Sequence, residues 1–280
     1  MPVTPRTPAL TLRELHGPAE LTQAEDLQFL VWGGSERDVF PRDALRALEH
    51  IGGLVAGALH GTQLVGLVVG LPTAQPHVQH SHLLAVHPDW RGSGLALQLK
   101  VHQRDWCAAR GVTRIEWTYD PLRALNAHFN IHRLGAAAHT YLDDFYGEMG
   151  GINAGLPSDR LVAAWTPAVL PARHPDPASL PAVNDPVTGT LHGSFPEGNG
   201  LALHVPPDLT GLLTHAPAQA LHWREQTREA FHVLFSAGYQ VTDFLRGERP
   251  AYILTRQAAP PVPTELPAPL LNGPLAHDPH

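Results

Sequence analysis

The segment VHPDWRGSGLALQL, residues 86–99, interrupts an apolar stretch with two glycines and an arginine. It joins a predicted strand to a predicted helix, whose first backbone N–H groups lack intrahelical partners and whose dipole is positive at that end. Gly92 and Gly94 have no Cβ to keep a bulky anion away, and Arg91 can donate to a phosphate oxygen. The segment therefore predicts a phosphate-binding loop. The alternative is an ordinary turn whose glycines only supply a positive φ.

Two common nucleotide-binding motifs do not fit this loop. A P-loop ends in Gly-Lys-Ser/Thr, whereas Leu95 and Ala96 follow Gly94 here. The dinucleotide-binding motif needs a third glycine where Leu97 stands, and it opens the first βαβ unit of its fold. In this chain a predicted helix pair and a hairpin come first. The loop therefore does not indicate either nucleotide-binding fold.

The elements predicted around the loop form one α/β domain over residues 1–166. Residues 94–111 alternate in hydrophobicity as a strand does, but about 16 residues without a turn signal exceed the usual strand length, so a helix is predicted. Asp120 is predicted to cap a helix that starts at Pro121 and ends before Gly135. Strands are predicted at 10–16, 53–61, 62–72, 80–88, 114–119, 137–142 and 161–166, and the other helices at 19–32 and 42–49.

The second half predicts a smaller unit. Residues 167–198 are a proline-rich connection, residues 199–256 a βαββ extension, and residues 257–280 a disordered tail with seven prolines. The order strand, helix, glycine, hairpin in 114–166 recurs in 201–256. An offset of 238 − 135 = 103 residues aligns the two glycines that end the helices. The alternative is chance, because βαββ units are common.

Composition argues against several classes of function. A net charge of −7 without a concentrated basic patch argues against a nucleic-acid partner. The sequence has no apolar run of about 18 residues, so no membrane span is expected, and the N-terminus does not resemble a secretory signal. Cys107 is the only cysteine, so we expect no disulfide framework and a cytoplasmic location. Lys100 is the only lysine, which we attribute to compositional bias.

The residues from 83 to 99 resemble the signature motif of the GCN5-related N-acetyltransferase (GNAT) superfamily. Arg91, Gly94 and Ala96 occupy the positions of its Arg-x-x-Gly-x-Gly/Ala pattern, and NAHFNIHRLGA at 126–136 resembles its asparagine-containing helix. The resemblance covers roughly the first 60% of the chain. With YLDDFYGEMGGINAGLPSDRLVAAW and the extension, the chain resembles a little-characterised branch of predicted acetyltransferases. The implied fold is a mixed, splayed central sheet flanked by helices.

The resemblance implies that acetyl-CoA is the co-substrate and that the acceptor is an amine of a small molecule or peptide. No metal is expected, because His77, His80 and His82 form a possible cluster with no carboxylate spaced to complete it. The pyrophosphate would bind the loop backbone, the pantetheine arm would pair with the strand before it, and a helix asparagine would contact the arm. The implied residues are Leu84, Ala85, Val86, Arg91, Gly92, Ser93, Gly94, Leu95, Ala96 and Asn126.

The catalytic residues implied by the resemblance are only partly matched. The tyrosine that protonates the thiolate in this superfamily stands four residues before the helix-ending glycine, where this chain has Ile131. Either Tyr141 or Tyr146 is then the substitute, with Tyr141 as the candidate acid, or no general acid is needed. His80 matches a carboxylate that serves some members as base, and His82 is expected on the same side.

Two further questions stay open at this level. The missing tyrosine leaves a non-catalytic acyl-CoA-binding or scaffolding protein as the alternative to an enzyme. The extension is expected either to brace the sheet or to form a dimer surface, so a homodimer is one of two expectations. The negative net charge weakly favours a cationic acceptor.

Overall fold

The computed structural model describes residues 10–33, 38–150, 154–166 and 179–256. The first part contains β1 (Leu10–Glu14), α1 (Gly17–Trp32), α2 (Arg42–His50), β2 (Leu54–His60), β3 (Gln63–Pro72), β4 (Val78–Val86), α3 (Leu95–Ala108), β5 (Arg114–Tyr119), α4 (Ala124–Ala127), β6 (Tyr141–Leu142) and β7 (Arg160–Trp165). The second contains β8 (Gly200–His204), α5 (Leu209–His215), α6 (Pro217–Ser236), β9 (Tyr239–Leu245) and β10 (Ala251–Arg256). The expectations for residues 167–178 and for the tail at 257–280 lie outside the described residues.

A seven-stranded sheet in the order β1-β2-β3-β4-β5-β7-β6 forms the centre of the first part. Its middle strands are apolar on both faces because helices cover both. Leu67 packs in a buried cluster with residues of α1 and α2, whereas its neighbour Val68 packs with Leu95 and Leu99 of α3. The sheet is mixed, since β4 and β5 are parallel and the other neighbouring strands are antiparallel. The predicted fold class is confirmed.

The sheet splays between β4 and β5, as expected. These strands pair only where Val78–His80 lie beside Arg114–Glu116. Beyond that point β4 stays paired to β3 as far as Val86, and β5 to β7 as far as Tyr119. A register shift makes His82 an extra residue in β4, because Leu83 pairs with Val69 and Ser81 with Gly70. A gap therefore opens between two strands that are each anchored on their outer side.

The predicted helix at 121–134 needs correction. Asp120 does not cap a helix; its Oδ1 accepts the N–H of Leu122 at 2.9 Å in a turn. The helix begins three residues later, at Ala124, and widens into a π-helical turn over His128–Arg133. The N–H of Leu134 donates to the carbonyl of Phe129, five residues back, at 3.1 Å. This extra residue shifts which side chains face the sheet and which face the gap.

The extension forms a second sheet in the order β8-β10-β9, which repeats the order β5-β7-β6. Its predicted strand, long helix and hairpin are confirmed, but α5 was not predicted. Ala138 and Val241, which are 241 − 138 = 103 residues apart, exchange backbone hydrogen bonds of 3.2 and 2.7 Å. The two sheets therefore meet at positions that the internal repeat makes equivalent.

Helix α6 also packs against the first part of the chain. Arg224 and Arg228, four residues apart, each pair with a carboxylate there, Asp120 and Asp159. Tyr141 stacks on Phe231 with ring centroids 5.4 Å apart. The extension therefore braces the end of the first sheet. In the described part of the chain, no helix has the length and hydrophobicity needed to cross a membrane.

Candidate functional site

Two adjoining cavities occupy the gap between β4 and β5 and share Asn126 and Phe129. The loop cavity lies against the glycine loop and the start of α3. The cleft lies further along the gap, between β4, β5 and α4. The two cavities therefore adjoin, one at the glycine loop and the other between β4 and β5.

The loop cavity brings together most of the residues predicted to bind CoA. Its lining includes Val86, Arg91, Gly92, Gly94, Leu95, Ala96 and Asn126, and Leu84 lies in the adjoining cleft. Two predicted residues line neither cavity. Ala85 is fully buried, and the Ser93 hydroxyl donates to the carbonyl of Trp90 at 2.6 Å.

The loop backbone presents free donors to this cavity. Gly92 and Gly94 have φ of 75° and 85°, a conformation that favours glycine. The N–H groups of Arg91 and Ser93 donate to carbonyls within the turn, at 3.1 and 3.4 Å. Among the residues that the structure describes, the N–H groups of Gly92, Gly94 and Ala96 have no acceptor. This pattern leaves alternate amides at the N-terminus of α3 available to an anion.

A second arginine lines the loop cavity. Arg133 is at the end of the π-helical turn and lines the cavity together with Arg91. Nothing in the sequence distinguishes Arg133 from an ordinary basic residue in the last turn of a helix. With these two guanidinium groups and the free amides, the cavity is suited to a polyanion.

The π-helical turn decides which side chains of this segment reach the cleft. Ile131, at the position of the usual tyrosine, is buried in the core. Asn130 lines the cleft instead and is itself 6% exposed. Counting back from Gly135 assumed an uninterrupted α-helix, and the extra residue of the π turn invalidates that count.

Lys100 is the principal side chain that the sequence analysis misjudged. It lines the cleft on the α3 side and is 2% exposed. Its Nζ donates to Ser81 Oγ at 2.7 Å and to Gln103 Oε1 at 3.2 Å, and lies 3.9 Å from the ring centroid of Trp117. Burial lowers the pKa of Lys100 to about 7. The only lysine of the chain is therefore part of the site.

The structure shifts the candidate base from His80 to His82. His80 is half-buried on β4 but does not line the cleft; His82, the extra residue of the register shift, lines it. The two rings lie 6.1 Å apart. Burial, and then the neighbouring His80, lower the pKa of His82, so its imidazole is neutral near pH 7.

The structure places Tyr141 away from the cleft, contrary to its predicted role as acid. Its hydroxyl donates to Asp159 Oδ2 at 2.7 Å, and its ring is enclosed by Phe231 and His232 of α6. Burial raises the pKa of Tyr141 well above its ordinary value. The residue belongs to the contact between the two parts of the chain.

Asp120 is the carboxylate on the cleft lining, and α6 neutralises it. Both of its oxygens accept from Nη2 of Arg224 at 2.9 Å. Arg224 is 1% exposed, so this ion pair is shielded from water. A residue 104 positions away in sequence thus determines the charge of the cleft.

The first part of the chain matches one family model. Residues 19–135 match the model of the Acetyltransferase (GNAT) family. No curated protein sequence matches the chain.

Several solved structures resemble the first part of the chain. A putative GNAT-family acetyltransferase from Desulfovibrio desulfuricans is 19% identical, with a TM-score of 0.47, over 57% of this chain and 100% of that one. The ribosomal-protein-S18-alanine N-acetyltransferase of Escherichia coli is 15% identical, with a TM-score of 0.47, over 60% and 100%. An aminoglycoside 6'-N-acetyltransferase complexed with coenzyme A is 16% identical, with a TM-score of 0.45, over 58% and 99%.

Proposed function

We propose that the protein, whose residues 19–135 match the model of the Acetyltransferase (GNAT) family, transfers an acetyl group from acetyl-CoA to the amine of a small-molecule or peptide acceptor. The observation that carries the proposal is the splay of β4 from β5, with the anion-binding loop cavity at one end and the cleft at the other. A binding protein without catalytic activity is not favoured by the family match.

The residues of the loop cavity fit CoA. The free amides of Gly92, Gly94 and Ala96 and the Arg91 guanidinium would hold the pyrophosphate, and Arg133 would add a second positive charge. The backbone of Leu84–Val86 has no β5 partner, so its N–H and C=O groups on that side can pair with the amide groups of the pantetheine arm. Asn126 lines both cavities and would contact the arm at their junction.

Bound acetyl-CoA would supply an activated acyl carbon, and the residues of the cleft would manage the acceptor amine. A neutral amine attacks the thioester carbon, the C–N bond forms, and the C–S bond breaks with release of CoA as a thiolate, which takes up a proton from water. The amine nitrogen loses a proton. Neutral His82 can accept that proton, directly or through a water molecule. An N–H on the free edge of β4 can polarise the thioester carbonyl.

The thermal shift on adding acetyl-CoA tests the binding step. Saturation at about 100 times Kd stabilises a protein by about 2.7 kcal/mol, which is readily detected. Gly94→Glu should abolish the shift, because a carboxylate then occupies the anion site. Gly52→Glu is the matched control: Gly52 has φ of 88°, close to the 85° of Gly94, and both have open space around a Cβ. An equal shift in both variants would contradict the proposed site.

Thiol release from acetyl-CoA tests the transfer step. Measured over a panel of amine acceptors, it should depend on the acceptor and fall strongly in His82→Ala. Binding of acetyl-CoA without thiol release for any acceptor would support the non-catalytic alternative.

A further inference from the structure

We propose that the acceptor is an amino acid or a close analogue, and that its carboxylate binds between Arg160 and Lys100 while its amine faces the thioester. The inference rests on the proposed function and concerns the chemistry of the cleft beyond the CoA site. It replaces the cationic acceptor that the net charge of the chain suggested.

The charged side chains on the cleft lining are mostly basic. They are Lys100, Arg123 and Arg160, against the single carboxylate of Asp120. Asp120 already forms an ion pair with Arg224. Basic side chains therefore outnumber carboxylates on the cleft lining, although the chain as a whole carries a net charge of −7. Such a lining favours an acceptor that carries an anionic group.

Arg160 has no counter-ion of its own. It is 6% exposed, and in the described part of the chain no carboxylate lies within 4 Å of its guanidinium. Its Nη1 donates to the carbonyl of Asp159 and its Nη2 to Met149 Sδ, both at 2.8 Å, and its guanidinium carbon lies 5.1 Å from the ring centroid of Tyr146. These contacts fix the guanidinium on the cleft lining and leave N–H donors over. A buried guanidinium without an anion is costly, so a ligand carboxylate there would be favoured.

Lys100 is a second donor on the cleft lining. Its neighbours Ser81 and Gln103 are neutral, and no described carboxylate lies within 4 Å of Nζ. Lys100 belongs to α3 and Arg160 to β7, so two different elements present donors to a carboxylate. A planar guanidinium recognises a carboxylate through two parallel hydrogen bonds, and an ammonium acts as a point charge. This pair favours a carboxylate over a neutral polar group.

The acceptor must carry an amine as well, because acyl transfer needs a nucleophile. The cleft meets the loop cavity at Asn126 and Phe129, and Leu84 on its lining is two residues before Val86 on the lining of the loop cavity. A molecule with its carboxylate at Arg160 and Lys100 therefore extends its amine toward the thioester end. An α-amino acid is the smallest common molecule that combines the two groups.

Matched pairs of acceptors test the proposal. Initial rates of thiol release from acetyl-CoA are measured with amino acids of both configurations and with the corresponding amino acid amides, which keep the amine and lose the carboxylate. At least one free amino acid should have a kcat/KM at least about tenfold above that of its amide, the factor that a charge-assisted hydrogen bond provides. At neutral pH the α-amine of an amino acid amide is less protonated than that of the free amino acid. A preference for the acid therefore reports recognition of the carboxylate and not reactivity.

Two variants locate the recognition. Arg160→Gln should lower the acid-to-amide ratio of kcat/KM about tenfold or more. Arg256→Gln is the matched control, because the guanidinium of Arg256 also lies over a tyrosine ring, that of Tyr239 at 4.9 Å. It should leave the acid-to-amide ratio unchanged, since Arg256 lines neither cavity.

Equal or faster turnover of the amides in the natural protein would overturn the proposal even if the variants fail to fold. Absence of turnover with every free amino acid, in protein that acetyl-CoA still stabilises, would also overturn it and leave the proposed function standing. Loss of stabilisation by acetyl-CoA would contradict the proposed function itself.

Discussion

Lys100→Met should change how the stability of the protein depends on pH. Burial lowers the pKa of Lys100 from 10.5 to about 7. Below pH 7 the amine is charged in both the folded and the unfolded chain, and the folded protein bears the full cost of burying the charge. Between these two pKa values only the unfolded chain holds the proton. Unfolding therefore takes up a proton there, and the free energy of unfolding rises with pH.

The size of this effect follows from the two pKa values. Between about pH 6 and about pH 8.5, the natural protein should gain about 2 kcal/mol of stability relative to Lys100→Met. Methionine has a similar length and no charge, so it removes the titration. Ser81 Oγ, 3.0 Å from Gln103 Oε1, still has that acceptor in the variant, and the hydrogen bonds lost with Nζ add only a pH-independent offset.

Urea denaturation of both proteins at several pH values measures this difference. Groups that titrate equally in both proteins do not contribute to the difference between their free energies of unfolding. The highest pH used stays below the range in which tyrosines of the unfolded chain ionise. Lys100→Arg is the control, because the arginine side chain keeps its charge over this pH range. The pH dependence of its free energy of unfolding should therefore be parallel to that of Lys100→Met. Parallel curves for the natural protein and Lys100→Met would refute the conclusion that Lys100 is buried as a titrating amine.

Two further predictions concern ion pairs. Arg224→Met should lower the free energy of unfolding by about 3–5 kcal/mol in urea denaturation, because it leaves the Asp120 carboxylate shielded and unpaired. Arg46→Met, which removes an exposed pair with Glu49, should lower it by at most about 1 kcal/mol. Equal losses in the two variants would contradict the distinction between a shielded and an exposed ion pair. Hydrogen bonds from Arg13 lower the pKa of Glu20 to about 2, so the stability that Glu20 provides is present above its ordinary pKa of 4.5 and is lost as the pH falls through about 2. The advantage over Glu20→Gln should shrink across this range in acid titration followed by circular dichroism, and a constant advantage would rule out the pair.

Features that depend on nearby residues were predicted well from the sequence. The glycine loop, the hairpin through Gly61 and the long helix α6 each follow from short-range backbone preferences. The internal repeat was also visible, because strand order and the helix-ending glycines recur at a fixed offset. In each case the relevant interactions lie within about one helix or hairpin.

The errors arose where the outcome depends on one extra residue or on a distant partner. The π-helical turn at 128–133 moved Ile131 into the core and Asn130 to the cleft, and the register shift in β4 exposed His82 to the cleft instead of His80. Neither irregularity changes hydrophobic periodicity enough to be read from the sequence. Tyr141 looked available as an acid only because its contacts with Asp159 and α6 were unknown.

The sequence by itself determined the order of elements, the loop and the family resemblance, because these are fixed by residues close together in the chain. Only the tertiary structure decided the chemistry of the cleft. Burial turns Lys100 from an apparent compositional accident into a titrating amine, and Arg224 removes the negative charge of Asp120 from 104 residues away. A local potential is the sum over groups that folding brings together, so the net charge of −7 does not describe the cleft, whose lining carries more basic than acidic side chains.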